Sequence, residues 1–170
     1  MSNALFRKPK LFQYQESDIM NETNQKGLIT ESYCQVAFSQ VGIMLSKPIS
    51  HDCRYDYIAD INGKLIRIQC KTSRIKPEST NSITFNTRST RGSTVQVFEH
   101  SYTSEEIDYF YTWFNGVSYL IPIKDCGATT CSLYLKDDTP KNLKNRVNFS
   151  KDYELITTLK REFQYNAAIV

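Results

Sequence analysis

The sequence lacks the features of several specialised protein classes. No apolar run approaches the roughly 18 residues that a membrane span needs, and no apolar stretch follows the first basic residues, as a secretory signal requires. The five cysteines include no CxxC pair, and only two histidines are present. Because structural zinc sites draw on closely spaced pairs of ligands, zinc is not expected. We therefore expect a cytoplasmic protein with reduced thiols and no membrane partner.

Length and composition are typical of one globular domain. The chain has 170 residues, of which 40% are hydrophobic and 23% charged, and this is enough for a substantial core. Residues 1–20 are polar and only weakly periodic, so we expect an N-terminal extension that is disordered or dispensable. Residues 21–170 are expected to form a single domain.

Positive charge is concentrated in one part of the chain. The net charge is only +3, which says little about partners. Between residues 64 and 91, however, seven basic residues stand against one acid, Glu78. A basic block in an otherwise balanced chain predicts a surface that faces a polyanion. The alternative is a solvated face of lysine and arginine, which is the more common origin of such a block.

The first regular element predicted is a helix over residues 24–45. Its apolar residues recur at spacings of three and four and predict one buried stripe: Ile29, Tyr33, Val36, Ala37 and Val41. Lys47-Pro48 is expected to end the helix, because the residue before a proline disfavours helical geometry.

Two Asn-Gly pairs predict two β-hairpins, because both residues of such a turn take positive φ. Asn62-Gly63 separates residues 55–61 from 64–71, and Asn115-Gly116 separates 107–114 from 117–123. We expect the second hairpin to be central to a sheet. Further strands are predicted at 83–85, 94–98 and 131–135, with a polar stretch at 87–93 and a helix at Leu155–Phe163. The fold class is therefore α/β, more closely an α+β mixed sheet with flanking helices.

The register of the first hairpin brings polar side chains together. If Ile61 pairs with Lys64 across the turn, Asp56 lies opposite Gln69, and their side chains point to the same side. Lys71 projects from that face too, since side chains alternate along a strand. The opposite face is apolar and is expected to pack against the first helix: Tyr57, Ala59, Ile61, Ile66, Ile68 and Cys70.

This arrangement suits a hard divalent cation. Mg²⁺ prefers oxygen ligands, which the Asp56 carboxylate, the Gln69 amide and the backbone carbonyl of Cys70 supply. Lys71 would orient a water molecule or offset charge on a phosphate. Glu31 would assist if its helix packs across the end of the hairpin. A hydrogen-bonded surface cluster is the more common outcome for so short a pattern alone.

Asp56 after Tyr55, followed by Gln69-Cys70-Lys71, resembles the PD-(D/E)xK nuclease motif, with Glu31 at the position of that superfamily's N-terminal helix acid. The similarity is closest to its homing endonucleases encoded by group I introns in cyanobacterial transfer-RNA genes, and it extends over nearly the whole chain from Met20. It implies a restriction-endonuclease-like or resolvase-like core, double-stranded DNA as partner, Mg²⁺ that Mn²⁺ can replace, and a homotetramer.

Two residues depart from that motif. Tyr55 stands where the superfamily has proline, which leaves the carboxylate role of Asp56 intact. Gln69 stands where the superfamily has an acid, and a neutral ligand weakens the binding of a second cation. The number of metal ions is therefore left open, as are the target sequence and the overhang.

The resemblance predicts a sequence-specific double-strand homing endonuclease that hydrolyses phosphodiester bonds and promotes intron mobility. It would be bound to the bacterial nucleoid when on DNA. One alternative is a Holliday-junction resolvase of the same superfamily. Another is a non-catalytic DNA-binding module, which the neutral Gln69 favours and Lys71 opposes.

The predicted DNA contacts lie in and around the basic block, where they would hold phosphates or read guanine edges. They are Arg67, Arg74, Lys76, Arg88 and Arg91. A two-stranded ribbon around residues 83–98 would fit the major groove. The acids Glu105, Glu106 and Asp108 are interpreted as structural.

Overall fold

The computed structural model describes residues 20–50, 52–93, 96–136 and 147–166. All of the predicted extension except Met20 lies outside these ranges, and a single domain over 21–170 stays a prediction. No helix in the described ranges is long and apolar enough to cross a membrane. The elements follow in this order: α1 (Glu22–Gln40), β1 (Leu45–Ser46), β2 (Tyr57–Ile61), β3 (Lys64–Cys70), β4 (Arg74–Lys76), β5 (Ser79–Asn86), β6 (Arg88–Ser93), β7 (Gln96–Ser101), β8 (Tyr109–Phe114), β9 (Val117–Pro122), β10 (Thr130–Tyr134), β11 (Asn148–Phe149) and α2 (Leu155–Phe163).

The strands form two mixed sheets and one ribbon. The first sheet has the order β1-β2-β3-β8-β9; its β3–β8 pair is parallel and its other pairs are antiparallel. The second has the order β11-β10-β5-β4, and β6 pairs with β7 alone. The predicted α+β mixed sheet is confirmed, and so is the helix at Leu155–Phe163.

Both Asn-Gly hairpins are present. Asn62 and Gly63 have φ values of 54° and 80°, and Asn115 and Gly116 have 48° and 85°. The pairing of Ile61 with Lys64 is confirmed. The second hairpin was expected to be central, but β9 lies at the end of the sheet and β3 at its middle. The reason is topological, since β8 joins the sheet through its parallel pairing with β3.

The first helix ends earlier than predicted. It stops at Gln40, and residues 43–46 are not helical. Gly42 has a φ of +76° and donates its N–H to the carbonyl of Ser39 at 3.0 Å. A glycine with left-handed geometry just past a helix satisfies the last carbonyls and turns the chain away. Strand β1 can then pair with β2.

The prediction of one buried apolar stripe on α1 is wrong for the first three of its five residues. Val36, Ile29 and Tyr33 are exposed by 52%, 44% and 39%. The face against the sheet is rotated from them and consists of Thr30, Cys34, Ala37, Phe38 and Val41. The Thr30 hydroxyl is satisfied by the carbonyl of Lys26 at 3.0 Å.

Two apolar layers enclose the first sheet. One lies between this sheet and the two helices and includes the apolar face of the β2–β3 hairpin, all of it buried as predicted. The other includes Ile83 and Phe85 of β5 together with Phe110 of β8. Gln69 pairs with Phe110 across β3 and β8. The polar face of the hairpin, expected to lie away from the main core, therefore borders this second layer.

The ribbon lies further along the chain than predicted. The polar stretch at 87–93, expected to separate two strands, contains β6, which pairs with β7 from Arg88↔Ser101 to Ser93↔Gln96. Strand β5 pairs instead with β4 and β10. Threonine favours strands as a β-branched residue, so polarity alone was a poor indicator of a loop here. The predicted strand at 131–135 is observed at Thr130–Tyr134.

Candidate active site

Asp56 continues the hairpin register just before β2. Its backbone N–H donates to the carbonyl of Ile68 at 2.9 Å. Its carboxylate oxygen Oδ2 accepts from the backbone N–H of Cys70 at 2.8 Å and from Nε2 of Gln69 at 2.7 Å. The structure thus brings Asp56 and Gln69 together, in the contact that the register predicts.

The environment of Asp56 disfavours its charged form. Burial raises its pKa to about 6, and the negative charge of Glu31 acts in the same direction. The Cys70 N–H, Lys71 and Lys47 act in the opposite direction. Because burial outweighs these groups, a bound cation would strongly stabilise the ionised form of Asp56.

Gln69 marks a place where oxygen acceptors converge. Its Nε2 lies 2.7 Å from Oδ2 of Asp56 and 3.2 Å from the backbone carbonyl oxygen of Cys70. The polarised N–H groups of the amide therefore lie between two acceptors, a position that a cation would also favour. For Oε1 of Gln69 to become a metal ligand, the amide would have to turn.

Glu31 reaches the site from α1. Its Oε2 accepts from Nζ of Lys47 at 3.0 Å, and its side chain is 27% exposed. The hydroxyl of Tyr57 lies 3.4 Å from the Glu31 carbonyl and accepts from Nε2 of Gln35 at 2.8 Å. Tyr57 thereby fixes α1 across the end of the hairpin, the condition under which Glu31 was expected to assist.

Lys71 is partly withdrawn from the other site residues. Its Nζ donates to the backbone carbonyl of Arg88 at 3.0 Å and lies 3.3 Å from the hydroxyl of Tyr102. Burial lowers its pKa to about 8; the nearby charge of Asp56 raises it and that of Arg54 lowers it. The ammonium is thus close enough to feel Asp56, while its hydrogen bonds go to β6 and to Tyr102.

The oxygen donors at the site suit a hard divalent cation. No group of three or more His, Cys, Asp or Glu that could hold a metal occurs in the part of the chain that the structure describes. The site offers the carboxylates of Asp56 and Glu31, the Cys70 carbonyl and the Gln69 amide. Mg²⁺ is usually held by one or two carboxylates, with waters and substrate phosphate completing its shell.

The predicted DNA-contact residues are spread over β3, β4 and β6. Arg67 is already occupied: its guanidinium binds both carboxylate oxygens of Asp108 at 3.1 Å and the carbonyls of Ser104 and Glu105. Arg88 pairs with Glu99, and Arg91 lies opposite Phe98 in the ribbon.

Arg74 is exposed and Lys76 is half-buried, both on β4. Two of the three acids interpreted as structural are in ion pairs: Asp108 binds Arg67 and Glu106 binds Arg54.

Three residues at the site were not found in the sequence: Lys47, Arg54 and Tyr102. Arg54 stands two positions before Asp56, in a segment that precedes β2 and is not a strand, so strand parity does not indicate it. Lys47 and Tyr102 come from distant parts of the chain, and no local pattern indicates them.

Two comparisons with known proteins found similarities to this chain. The PD-(D/E)XK endonuclease family matches residues 21–156, a range that contains all the site residues named above. A solved structure, "The structure of a bacterial homing endonuclease: I-Ssp6803I", has 20% sequence identity and a TM-score of 0.65, covering 86% of this chain and 100% of its own. At that identity the likeness shows a shared fold. Among curated proteins, none matches the sequence. Since the family match spans most of the chain, the protein belongs to the PD-(D/E)XK endonuclease family.

Proposed function

We propose that this nuclease is a sequence-specific, Mg²⁺-dependent endonuclease that hydrolyses phosphodiester bonds in both strands of DNA. The observation that carries the proposal is that the Asp56 carboxylate and the Cys70 carbonyl both accept from one atom, Nε2 of Gln69. Glu31 and Lys71 lie close enough to shift the pKa of Asp56. Oxygen ligands for a metal ion, together with an ammonium that offsets charge on a phosphate, are groups that phosphodiester hydrolysis can use.

The proposed ligands of Mg²⁺ are Asp56, Gln69 and the carbonyl of Cys70, with Glu31 assisting and Mn²⁺ able to replace the ion. When bound, the ion would lower the pKa of a coordinated water and offset charge on the phosphate. Glu31 would have to exchange its pairing with Lys47 for this role. Lys71 would position the attacking water or stabilise the charge that develops on the phosphate.

The proposed DNA contacts are Arg67, Arg74, Lys76, Arg88 and Arg91. The β6–β7 ribbon supports this assignment, because a two-stranded ribbon fits the major groove. Arg67 is expected to contribute least, since Asp108 and two carbonyls already occupy its guanidinium. Arg74 lies exposed on β4, three residues after Lys71.

The proposed biological role is homing, in which the enzyme cuts an intronless gene copy so that repair inserts the intron. A solved structure of the same fold is titled a bacterial homing endonuclease, which supports the role. A cyanobacterial group I intron in a transfer-RNA gene is the proposed genetic context. The enzyme would act in the cytoplasm, on nucleoid DNA.

The other proposed partner is a second copy of the chain, and ultimately a tetramer. One active site cuts one strand, so cleavage of both strands is best served by a symmetric oligomer. The outward face of α1 supports this proposal because it carries exposed apolar side chains. They are Leu28, Ile29, Tyr33 and Val36.

A cleavage assay tests the proposal. The purified protein is incubated with linear duplex libraries and with a four-way junction, in Mg²⁺, in Mn²⁺ or in EDTA. The variants Asp56→Asn and Lys71→Met are run beside Arg161→Gln, whose site lies on α2. We expect cutting of the duplex that requires metal, Asp56 and Lys71. Cleavage that persists in EDTA or in both site variants contradicts the proposal, preference for the junction indicates a resolvase, and binding without cleavage indicates a DNA-binding module.

A further inference from the structure

Arg54 is a nearly buried arginine beside the site, to which the mechanism above gives no role. Its Nε donates to Oε1 of Glu106 at 3.0 Å, and its side chain is only 18% exposed. Its Nη1 donates to the hydroxyl of Ser89 on β6. Its Nη2 is buried and has no hydrogen-bond partner among the described residues. Arg54 therefore links the segment that leads into Asp56 with the start of the ribbon.

Tyr102 lies against both Arg54 and Lys71. The guanidinium carbon of Arg54 is 4.1 Å from the centre of the Tyr102 ring, and Nζ of Lys71 is 4.7 Å from it. The ring also packs edge-on against Phe110 of β8, with ring centres 5.5 Å apart. The electron-rich face of an aromatic ring attracts cations, so one tyrosine that packs against the first sheet contacts two of them.

Both cations also hold the base of the ribbon. Lys71 binds the carbonyl of Arg88, and Arg54 binds the next residue, Ser89. These residues pair with Ser101 and His100 at the end of β7, immediately before Tyr102. Lys71, to which the mechanism assigns a role, is therefore bound to the first residue of the ribbon, and that residue pairs with the last one.

The arrangement has an energetic cost that packing alone does not explain. Two like charges lie at one ring, with the guanidinium carbon of Arg54 and Nζ of Lys71 at 4.1 Å and 4.7 Å from the centre of Tyr102. Arg54 also buries an N–H group without a partner, which is unfavourable. An apolar side chain would fill the same space without either penalty. Buried groups left in this condition often serve a function.

We infer that Arg54 is a positioning residue, which together with Tyr102 forms a clamp at the base of the β6–β7 ribbon. Through this clamp, the position of the ribbon on DNA determines the position of Lys71. The inference rests on the proposed nuclease function, which it deepens. The forked guanidinium is needed because it binds Glu106 and Ser89 at the same time, whereas a lysine ammonium at the end of a flexible chain cannot span both in fixed geometry.

Substitutions at both ends of the clamp test this inference. Arg54→Gln removes the charge and the fork, and Arg54→Lys retains only the charge. Ser89→Ala removes the hydroxyl that contacts Arg54 and Tyr102 but leaves the ion pair between Arg54 and Glu106 in place. Arg161→Gln is the matched control, since Arg161 also binds a glutamate, a backbone carbonyl and a tyrosine ring. Each protein is assayed for single-turnover nicking, in Mg²⁺, of a supercoiled plasmid that carries a sequence cut in the library assay. Affinity for that duplex in Ca²⁺ and amide hydrogen exchange of the ribbon are measured beside it.

We expect Arg54→Gln to slow nicking by about 100-fold, the scale of a small misplacement of a catalytic group, with duplex affinity largely retained. Arg54→Lys should restore only part of the rate, and Ser89→Ala should show a smaller loss. Exchange in β6 and β7 should quicken in all three but not in Arg161→Gln. If the wild type cleaves DNA, two results contradict the inference but not the proposed function. One is unchanged hydrogen exchange in the variants, and the other is a loss of duplex affinity as large as the loss of rate. A wild type that cuts no DNA contradicts the proposed function and with it the catalytic half of the inference.

Discussion

Nε2 of Gln69 donates to the same carboxylate oxygen of Asp56 that accepts from the backbone N–H of Cys70, at 2.7 Å and 2.8 Å. A neutral amide thus occupies the place where the family motif has an acid. In the absence of metal, the amide of Gln69 stabilises the buried Asp56 carboxylate by a hydrogen bond. An ionised acid in the same place would repel that carboxylate. This contact ties the charge balance of the site to a single side chain.

Gln69→Glu is expected to destabilise the metal-free protein and to strengthen its response to Mg²⁺. A second carboxylate beside Asp56 loses the hydrogen bond and adds repulsion, so the free energy of unfolding in EDTA should fall by about 1–3 kcal/mol. Added Mg²⁺ should raise the melting temperature more than in the wild type. Thermal unfolding in EDTA and across a Mg²⁺ titration measures both effects.

Gln69→Ala is the matched control for that substitution, because it removes the amide without adding charge. It should be destabilised in EDTA but gain little from Mg²⁺. An equal Mg²⁺ response in Gln69→Glu, Gln69→Ala and the wild type would contradict the proposed role of residue 69 as a metal ligand.

The turn of the first hairpin is expected to be sensitive to the loss of its glycine. Gly63 has a φ of +80°, and a Cβ added there meets no atom within 4 Å, so Gly63→Ala suffers from backbone geometry alone. The expected loss of stability is about 1 kcal/mol. Gly27→Ala in α1 also meets no atom within 4 Å and should stabilise by a similar amount, because alanine favours helices. Urea unfolding of both variants checks whether the two changes have opposite signs.

The hairpin and the contact across it could be predicted from sequence because both follow from local rules. Asn62-Gly63 fixes the turn, the turn fixes the register, and the register places Asp56 beside Gln69. The motif resemblance then added Glu31, which lies on α1 near the site. None of these steps needed knowledge of distant packing.

The orientation of α1 could not be predicted in the same way, because apolar side chains occur on more than one of its faces. The stripe containing Ile29 and Tyr33 is as regular as the buried face containing Thr30 and Cys34. Tyr33 stacks on the ring of Trp113, with ring centres 4.0 Å apart and planes 4° apart. Contacts of this kind depend on tertiary structure, as does the clamp between Arg54 and the ribbon.

Acid unfolding should report the pairing of Asp108 with Arg67. Burial raises the pKa of Asp108, but hydrogen bonds from the side chain and backbone of Arg67 outweigh burial and hold that pKa below its ordinary value. A lowered folded-state pKa gives stability that is present above the unfolded-state value and is lost as the pH falls through the folded-state value. Asp108→Asn should therefore be less stable than the wild type at pH 7, and the difference should shrink below about pH 4. Denaturant unfolding from pH 7 to pH 3 measures it, with exposed Glu105→Gln as control; a difference that is constant with pH would contradict the assignment.

The outward face of α1 is expected to hold two copies of the chain together. Val36 is 52% exposed on that face, so Val36→Glu should leave the fold intact while placing a charge in an apolar interface, where it is strongly unfavourable. Light scattering should show a smaller particle. Plasmid cleavage should shift from double-strand breaks to nicks, because a separated subunit carries one active site. Leu65→Glu is the control, since Leu65 is 67% exposed on β3, away from that face, and should change neither result. An unchanged particle mass for Val36→Glu would place the interface elsewhere.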